Sequence, residues 1–198
     1  VRNPDLWIVG FSATPYRMGM GLITHGRLFQ KIIVDMTGVE KFMFFVEQGY
    51  LCRLVTKQPK TQIDLHEVRM MGGEFDAKSL ASISDTDELN EAVVNEVIEQ
   101  GETRNHWLGF GTSVKHATNL VAKFRARGVT AEIIHGTMKP EQRSVIMEGF
   151  HKGKIRCVVN IGVLSVGYDF PALDLIFVVR GTQSTALWIQ ALGRGTRP

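Results

Sequence analysis

The last nine residues of the chain are the ones best suited to chemistry. They read Gln190-Ala191-Leu192-Gly193-Arg194-Gly195-Thr196-Arg197-Pro198. Two guanidinium groups stand three residues apart, and glycines at 193 and 195 let the backbone approach a ligand closely. Because guanidinium groups form charge-assisted hydrogen bonds to phosphate oxygens, the stretch predicts a phosphate site. A basic, solvated tail is the other interpretation of a lone Arg-x-x-Arg.

Polar residues also follow three predicted strands. Thr112 and Ser113 precede a helix whose free N–H groups and dipole favour an anion, although the same residue types serve equally well as N-caps. His135-Gly136-Thr137 and Asn160 follow the next two strands. Asp169 lies between Tyr168 and Phe170-Pro171, where a carboxylate either binds a ligand or caps a turn.

From residue 85 onward the apolar pattern predicts alternating helices and strands that would position these residues. Strands are predicted at 107–110, 131–134, 155–159 and 175–179, and helices at 85–101, 113–127, 140–151 and 184–192. This alternation implies crossover connections, and therefore an α/β fold whose parallel sheet carries helices on both faces. Ligands bind at the carboxyl ends of such strands, where the polar loops would gather.

The first 84 residues are less regular. We predict a buried strand at Leu6–Phe11 leading into Ser12-Ala13-Thr14-Pro15-Tyr16-Arg17, and a buried element at Lys31–Asp35. A helix is predicted from Thr37 to a stop at Gly49, followed by strands at 52–56 and 61–65. Residues 66–84 carry the weakest pattern and indicate a loop or a short helix.

Composition narrows the function classes. The chain has 198 residues, 44% of them hydrophobic, and no apolar run approaches the roughly 20 residues of a membrane helix. Cys52 and Cys157 lie far apart, so we expect no disulfide framework, no metal site of the protein's own and a cytoplasmic location. The sequence starts without Met, and we expect it to be a piece of a longer polypeptide.

Charge is distributed unevenly along the chain. Residues 1–103 carry 10 Lys/Arg against 15 Asp/Glu, whereas residues 104–198 carry 13 against 5. The second half is therefore the one expected to contact a polyanion. A solvated basic face is the alternative.

Five stretches in order resemble the second motor domain of superfamily 2 helicases and translocases. They are Ser12-Ala13-Thr14 (motif III), Gly109-Phe110-Gly111-Thr112-Ser113 (motif IV region), Ile134-His135-Gly136 with Arg143, Val158-Val159-Asn160 through Gly167-Tyr168-Asp169-Phe170-Pro171 (motif V), and Gln190-x-x-Gly193-Arg194-x-x-Arg197 (motif VI). The Ala-Thr-Pro-x-Arg form looks most like the DNA-directed branch, particularly RadD-like DNA repair helicases. Five such stretches together make a specific signal.

The resemblance implies a RecA-like domain that binds ATP and Mg²⁺ together with a first RecA-like domain. That partner supplies the phosphate loop and the Asp-Glu box, and this sequence contains neither. We therefore expect residues 1–36 to be the end of the first domain, 37–84 to be connecting strands and a loop, and 85–198 to be the second domain. By itself the chain should not hydrolyse ATP.

The same resemblance implies roles for individual residues. Arg197 matches the arginine finger, with Arg194 as its companion and Gln190 orienting the loop or the water. Asp169 accepts from a ribose hydroxyl or pairs with the finger. The remaining roles are nucleotide binding by Gly167 and Gly193, nucleic-acid binding by Thr112, Ser113, His135, Gly136 and Asn160, and coupling by Ser12, Thr14 and Arg17. Ile161 stands where box helicases usually place Thr, so Asn160 or backbone N–H groups would replace that phosphate contact.

The expected partner is DNA. An RNA helicase of similar architecture is one alternative, and a non-catalytic nucleic-acid binding module is another. No membrane partner is expected.

Overall fold

The computed structural model describes residues 7–17, 21–26, 29–164 and 167–198. The four longest strands lie in the second half of the chain, whereas each strand of the first half is two residues long. The strands are β1 (Tyr16–Arg17), β2 (Gly21–Leu22), β3 (Met70–Met71), β4 (Glu74–Phe75), β5 (Trp107–Phe110), β6 (Ala131–His135), β7 (Cys157–Ile161) and β8 (Leu175–Val178). The α-helices are α1 (Val39–Glu47), α2 (Ala77–Ser84), α3 (Asp87–Gln100), α4 (Val114–Ala126), α5 (Pro140–His151) and α6 (Thr185–Leu192), and short 3-10 helices cover Ile23–His25 and Gly193–Gly195.

A four-stranded parallel sheet forms the centre of the fold. Its strand order is β6-β7-β5-β8, and every neighbouring pair is parallel. Phe110 and Ile134 both pair with Asn160, so β5, β6 and β7 end at the same level. The predicted α/β fold with a parallel sheet is confirmed.

Side chains that alternate along the strands build a separate core on each face of the sheet. Trp107 and Val159 pack with α3 and α4 on one face, and both are fully buried. Leu108 and Val158 pack on the other face with Phe150 of α5 and Ala191 of α6. Burial on both faces explains why these strands are continuously apolar in sequence.

The helices begin and end where local chemistry requires. Ser113, Thr86 and Ser184 each accept a backbone N–H in the first turn of the helix that follows. Pro140 occupies the first turn of α5, where its missing N–H costs nothing. Gly128, after α4, has a φ of 78°, a left-handed conformation that glycine adopts without strain.

Residues 66–84 form a hairpin and a helix where the sequence predicted a loop or a short helix. Gly72 and Gly73 join β3 to β4 with positive φ at both positions, as a tight hairpin turn requires. Glu74 accepts hydrogen bonds from the hydroxyl of Thr182 (2.7 Å) and the backbone N–H of Gln183 (2.9 Å). The hairpin is thus fastened to the loop that precedes α6.

Four predicted elements of the first half are wrong in their type. The described residues of 6–11 form no strand, and Trp7 and Phe11 are 90% and 98% exposed. Residues 31–35 are exposed and irregular, and neither 52–56 nor 61–65 pairs as a strand. A strand needs a neighbouring strand for its backbone groups, and these segments have none among the residues that the structure describes.

Candidate functional site

The two arginines at the end of the chain converge on one segment, Tyr168-Asp169. A 3-10 helix over Gly193–Gly195 follows α6 and turns the chain towards that segment. Arg194 Nη1 donates to the carbonyl of Tyr168, and Arg197 Nη1 lies 2.6 Å from Asp169 Oδ2. The structure therefore brings Arg194, Arg197 and Asp169 into a single cluster.

Buried contacts hold the turn that carries the arginines. Thr196 is 7% exposed, and its hydroxyl donates to the carbonyl of Gly193 (3.1 Å). The carbonyl of Thr196 in turn accepts from the backbone N–H of Cys52 (2.7 Å), far away in the sequence. Sequence reasoning missed this role of Cys52, because no local pattern indicates it.

Electrostatics in the cluster favour an anion. Partial burial lowers the pKa of Arg194, the neighbouring charge of Arg197 lowers it further, and Asp169 opposes both effects. The cluster thus places two guanidinium groups beside the exposed carboxylate of Asp169. This donor set suits the oxygens of a phosphate chain.

Gln190 connects this region to the start of the chain. Its Nε2 lies 3.3 Å from Oγ1 of Thr14, which is 9% exposed, and Ser12 Oγ accepts the backbone N–H of Thr14 (3.1 Å). Arg17 lies in β1, and the structure does not describe its side chain. The predicted coupling residues Ser12 and Thr14 thus lie beside the helix that precedes the arginines.

The residues predicted to contact nucleic acid lie at the adjacent ends of β5, β6 and β7. Thr112 Oγ1 is 2.7 Å from Nδ1 of the buried His116 and 3.3 Å from Ser84 Oγ. Ser113 is the N-cap of α4 and accepts the backbone N–H of His116. Both side chains are half-buried and hydrogen-bonded inside the protein, and the first exposed residues of α4 are Val114 and Lys115.

The predicted phosphate contact of the Asn160 side chain requires a correction. The sequence offered its side chain as a phosphate contact, but Asn160 is only 1% exposed. Its Oδ1 accepts the backbone N–H groups of Val163 (3.0 Å) and Leu164 (2.8 Å). The side chain shapes the loop after β7 and does not reach solvent, so backbone groups of that loop are the remaining candidates.

The loop after β6 presents backbone more than side chain. His135 Nδ1 is 2.8 Å from the hydroxyl of Thr137, while Gly136 is exposed with open space where a Cβ would stand. Gly167 and Gly193 likewise have open space beside their α-carbons, and Gly167 has a φ of 74°. All three glycines leave room for a ligand to approach the chain closely.

A surface depression lies elsewhere in the described part of the chain. It is lined at the amino ends of the strands by residues that include His106, Thr130, His151 and Arg156. The Arg156 guanidinium already donates to three carbonyls there, those of Gly101, Glu102 and Arg104. None of the predicted site residues lines this depression, and we place the candidate site at the arginine cluster because its groups are oriented toward one another.

Within residues 7–17, 21–26, 29–164 and 167–198, no group of three or more His, Cys, Asp or Glu is arranged to hold a metal ion. In the same ranges, no helix combines the length and apolar character needed to cross a bilayer.

Comparison with known proteins gives a family and several relatives. The family model "Helicase conserved C-terminal domain" matches residues 88–198. "Putative ATP-dependent helicase IRC3" of Saccharomyces cerevisiae is 26% identical over 96% of this chain, and the "51.5 kDa protein" of a Lactococcus phage is 24% identical over 98%. "DEAD-box ATP-dependent RNA helicase 9" of rice is 26% identical over 75%. The chain spans 27%, 41% and 24% of the length of these three relatives, respectively.

A solved structure confirms the type of fold. The Escherichia coli DEAD-box protein SrmB, bound to regulator of ribonuclease activity A, matches with a TM-score of 0.50 and 20% identity. The match covers 56% of this chain and 65% of that one. At this identity the likeness concerns fold alone, and it agrees with a RecA-like parallel sheet.

Proposed function

The chain belongs to the family of helicase conserved C-terminal domains, and from that premise we propose that it is the C-terminal motor half of an ATP-dependent DNA helicase or translocase. In this function the chain supplies cationic side chains to a nucleotide and grips the phosphates of one strand. The phosphate loop and the Asp-Glu box lie on a first RecA-like domain. The chain by itself is then inactive in hydrolysis.

The arginine cluster carries the proposal. Arg194 and Arg197 meet at Tyr168-Asp169, and two guanidinium groups placed together are suitable donors for the phosphates of ATP. Phosphoryl transfer is accelerated chiefly by positive charge placed where negative charge develops, and an arginine finger contributes on the order of a thousandfold or more. Arg197 is the finger, Arg194 its companion, and Asp169 holds the finger in position.

Other residues contribute to the proposed nucleotide-binding site. The backbone at Gly167 and Gly193 is open to a ligand, and Gln190 lies one turn before the arginines. Mg²⁺ accompanies ATP and is held mainly by the first domain. Bound between the two halves, Mg-ATP supplies the phosphoryl group that the arginines act on.

The contact between Gln190 and Thr14 supports a coupling role. We propose that residues 1–36 end the first domain, that 37–84 connect, and that 85–198 form the second domain. On that division, the hydrogen bond from Gln190 to Thr14 joins the two halves. Ser12, Thr14 and Arg17 then transmit the state of the nucleotide to the nucleic-acid side.

The loops at the adjacent strand ends support binding to the phosphates of a nucleic-acid strand. The N-terminus of α4 with Ser113, the backbone of Gly136 and the loop after Asn160 lie at the ends of three neighbouring strands. The half of the sequence that contains them has 13 Lys/Arg against 5 Asp/Glu. Binding to phosphates predicts weak sequence preference and strong salt dependence.

The test of the proposal is ATP hydrolysis by the longer polypeptide that carries this chain. Arg197→Ala should abolish most turnover and leave ATP binding largely intact. Arg125→Ala is the matched control, because Arg125 pairs with the Glu132 carboxylate far from the cluster. Normal turnover in the Arg197 variant contradicts the assignment.

DNA is proposed as the partner because of the Ala-Thr-Pro-x-Arg form, and the RNA alternative is favoured by the name of the rice relative. Stimulation of hydrolysis by single-stranded DNA, duplex DNA and RNA separates the two. A polypeptide that binds nucleic acid and never hydrolyses ATP would instead be the non-catalytic module. A role in DNA repair and a cytoplasmic location are proposed on the RadD-like resemblance and the cysteine usage alone.

A further inference from the structure

One short irregular segment, Gly167–Pro171, meets both arginines. Arg194 donates to the carbonyl of Tyr168, and Arg197 pairs with Asp169. The segment forms neither helix nor strand, and Phe170 accepts a turn hydrogen bond from the backbone N–H of Leu173 (3.1 Å). Because the described residues of this segment belong to no helix or strand, contacts of their side chains help to position Asp169.

The two aromatic side chains beside Asp169 both contact one histidine. The His151 ring stacks on Phe170, with centroids 4.5 Å apart and an interplanar angle of 29°. It is also nearly parallel to the ring of Tyr168, at 6.0 Å and 9°, and its Nε2 lies 3.2 Å from the Tyr168 hydroxyl. His151 therefore holds the segment on both sides of the carboxylate.

The histidine itself stands on a rigid support. It is the last residue of α5, directly after Phe150, which is fully buried in the second core. The ring of Phe150 lies 5.6 Å from that of Phe170, and His106, just before β5, lies 4.9 Å from Phe170. Edge and stacked ring contacts of this kind add to the stability that burial alone provides.

We infer that His151 is a positioning residue for the arginine pair. It contacts Tyr168 and Phe170, and through them it fixes Asp169 at the place where Arg197 meets it. The inference rests on the proposed function as far as the consequence for ATP hydrolysis is concerned. The positioning of Asp169 by His151 does not depend on the proposed function.

Hydrolysis by the longer polypeptide gives the first test. His151→Ala should lower kcat about tenfold, because a ring contact and a hydrogen bond are each worth a few-fold, and should leave the affinity for nucleic acid unchanged. Tyr168→Phe keeps the ring and should lower kcat about threefold. His66→Ala, at an exposed histidine of the first half, is the matched control. Wild-type kcat in His151→Ala overturns the inference.

Amide hydrogen exchange of the 198-residue chain gives a second test that needs no hydrolysis. The peptide covering residues 167–174 should exchange about tenfold faster in His151→Ala and unchanged in His66→Ala, while β5 keeps its protection. Unchanged exchange in the His151 variant overturns the inference. If exchange rises and the unaltered longer polypeptide shows no ATP hydrolysis, the positioning role stands and the proposed function fails.

Discussion

Replacing Asp169 by Asn should separate the catalytic role of the carboxylate from its role in stability. The variant keeps the size of the side chain and removes the charge that Arg197 meets at 2.6 Å. The side chains of Arg197 and Asp169 are 36% and 58% exposed. An ion pair this exposed contributes about 0.2–1 kcal/mol, so the free energy of unfolding should fall by no more than about 1 kcal/mol.

The expected effect on hydrolysis is larger. A finger that is no longer held in place loses alignment with the phosphate, and a displacement of about 1 Å costs up to about 100-fold in rate. We therefore expect kcat to fall about 10- to 100-fold in the longer polypeptide, which corresponds to about 1.4–2.8 kcal/mol of activation free energy. The loss of activity should thus exceed what the loss of stability explains.

Two measurements and one control test this reasoning. Urea unfolding of the 198-residue chain gives stability, and phosphate release by the longer polypeptide gives kcat. Glu99→Gln is the control, because Glu99 is also 58% exposed and pairs with Lys60 at 2.9 Å on another surface. It should cost similar stability and no activity. Unchanged or faster hydrolysis in Asp169→Asn would refute the reasoning, as would a loss of several kcal/mol of stability.

Three further predictions concern stability of the chain in urea. Burial lowers the pKa of His116 below its ordinary 6.5, with Asp85 opposing, so the unfolded chain binds more protons below that pH. Stability should fall as pH is lowered from about 7 to 5, and His116→Gln should flatten that decline; an unchanged pH profile contradicts this. Gly109→Ala would place a Cβ 2.3 Å from Phe177 Cζ and should cost about 1–3 kcal/mol, whereas wild-type stability would show that the ring moves freely. Asn160→Ala leaves the backbone N–H groups of Val163 and Leu164 without their acceptor and should cost about 1–3 kcal/mol for each, whereas wild-type stability would contradict this role of the side chain.

Prediction from sequence succeeded where short-range chemistry decides the structure. The helices after residue 85 begin at capping residues such as Thr86 and Ser113 and stop near glycines such as Gly128. Their period of apolar residues is visible within a dozen positions. The strand over 157–161 was predicted two residues too early, because pairing with its neighbours fixes its ends.

The first half was predicted poorly for a related reason. Residues 52–56 and 61–65 have the composition of strands, yet the backbone N–H of Cys52 donates to the carbonyl of Thr196 and that of Thr61 donates to the Glu96 carboxylate on α3. Composition indicates that a segment prefers an extended backbone. It does not indicate which partner is within reach.

The candidate site was likewise predictable from the sequence only in part. The sequence determined the α/β alternation and the arginines three residues apart, because periodicity, caps and spacing act over a few neighbouring residues. Only the tertiary structure decided that Arg197 meets Asp169, that Asn160 is buried beneath its loop, and that His151 stacks beside Tyr168. These contacts join residues that are distant in the chain, and their formation depends on how the helices pack on the sheet.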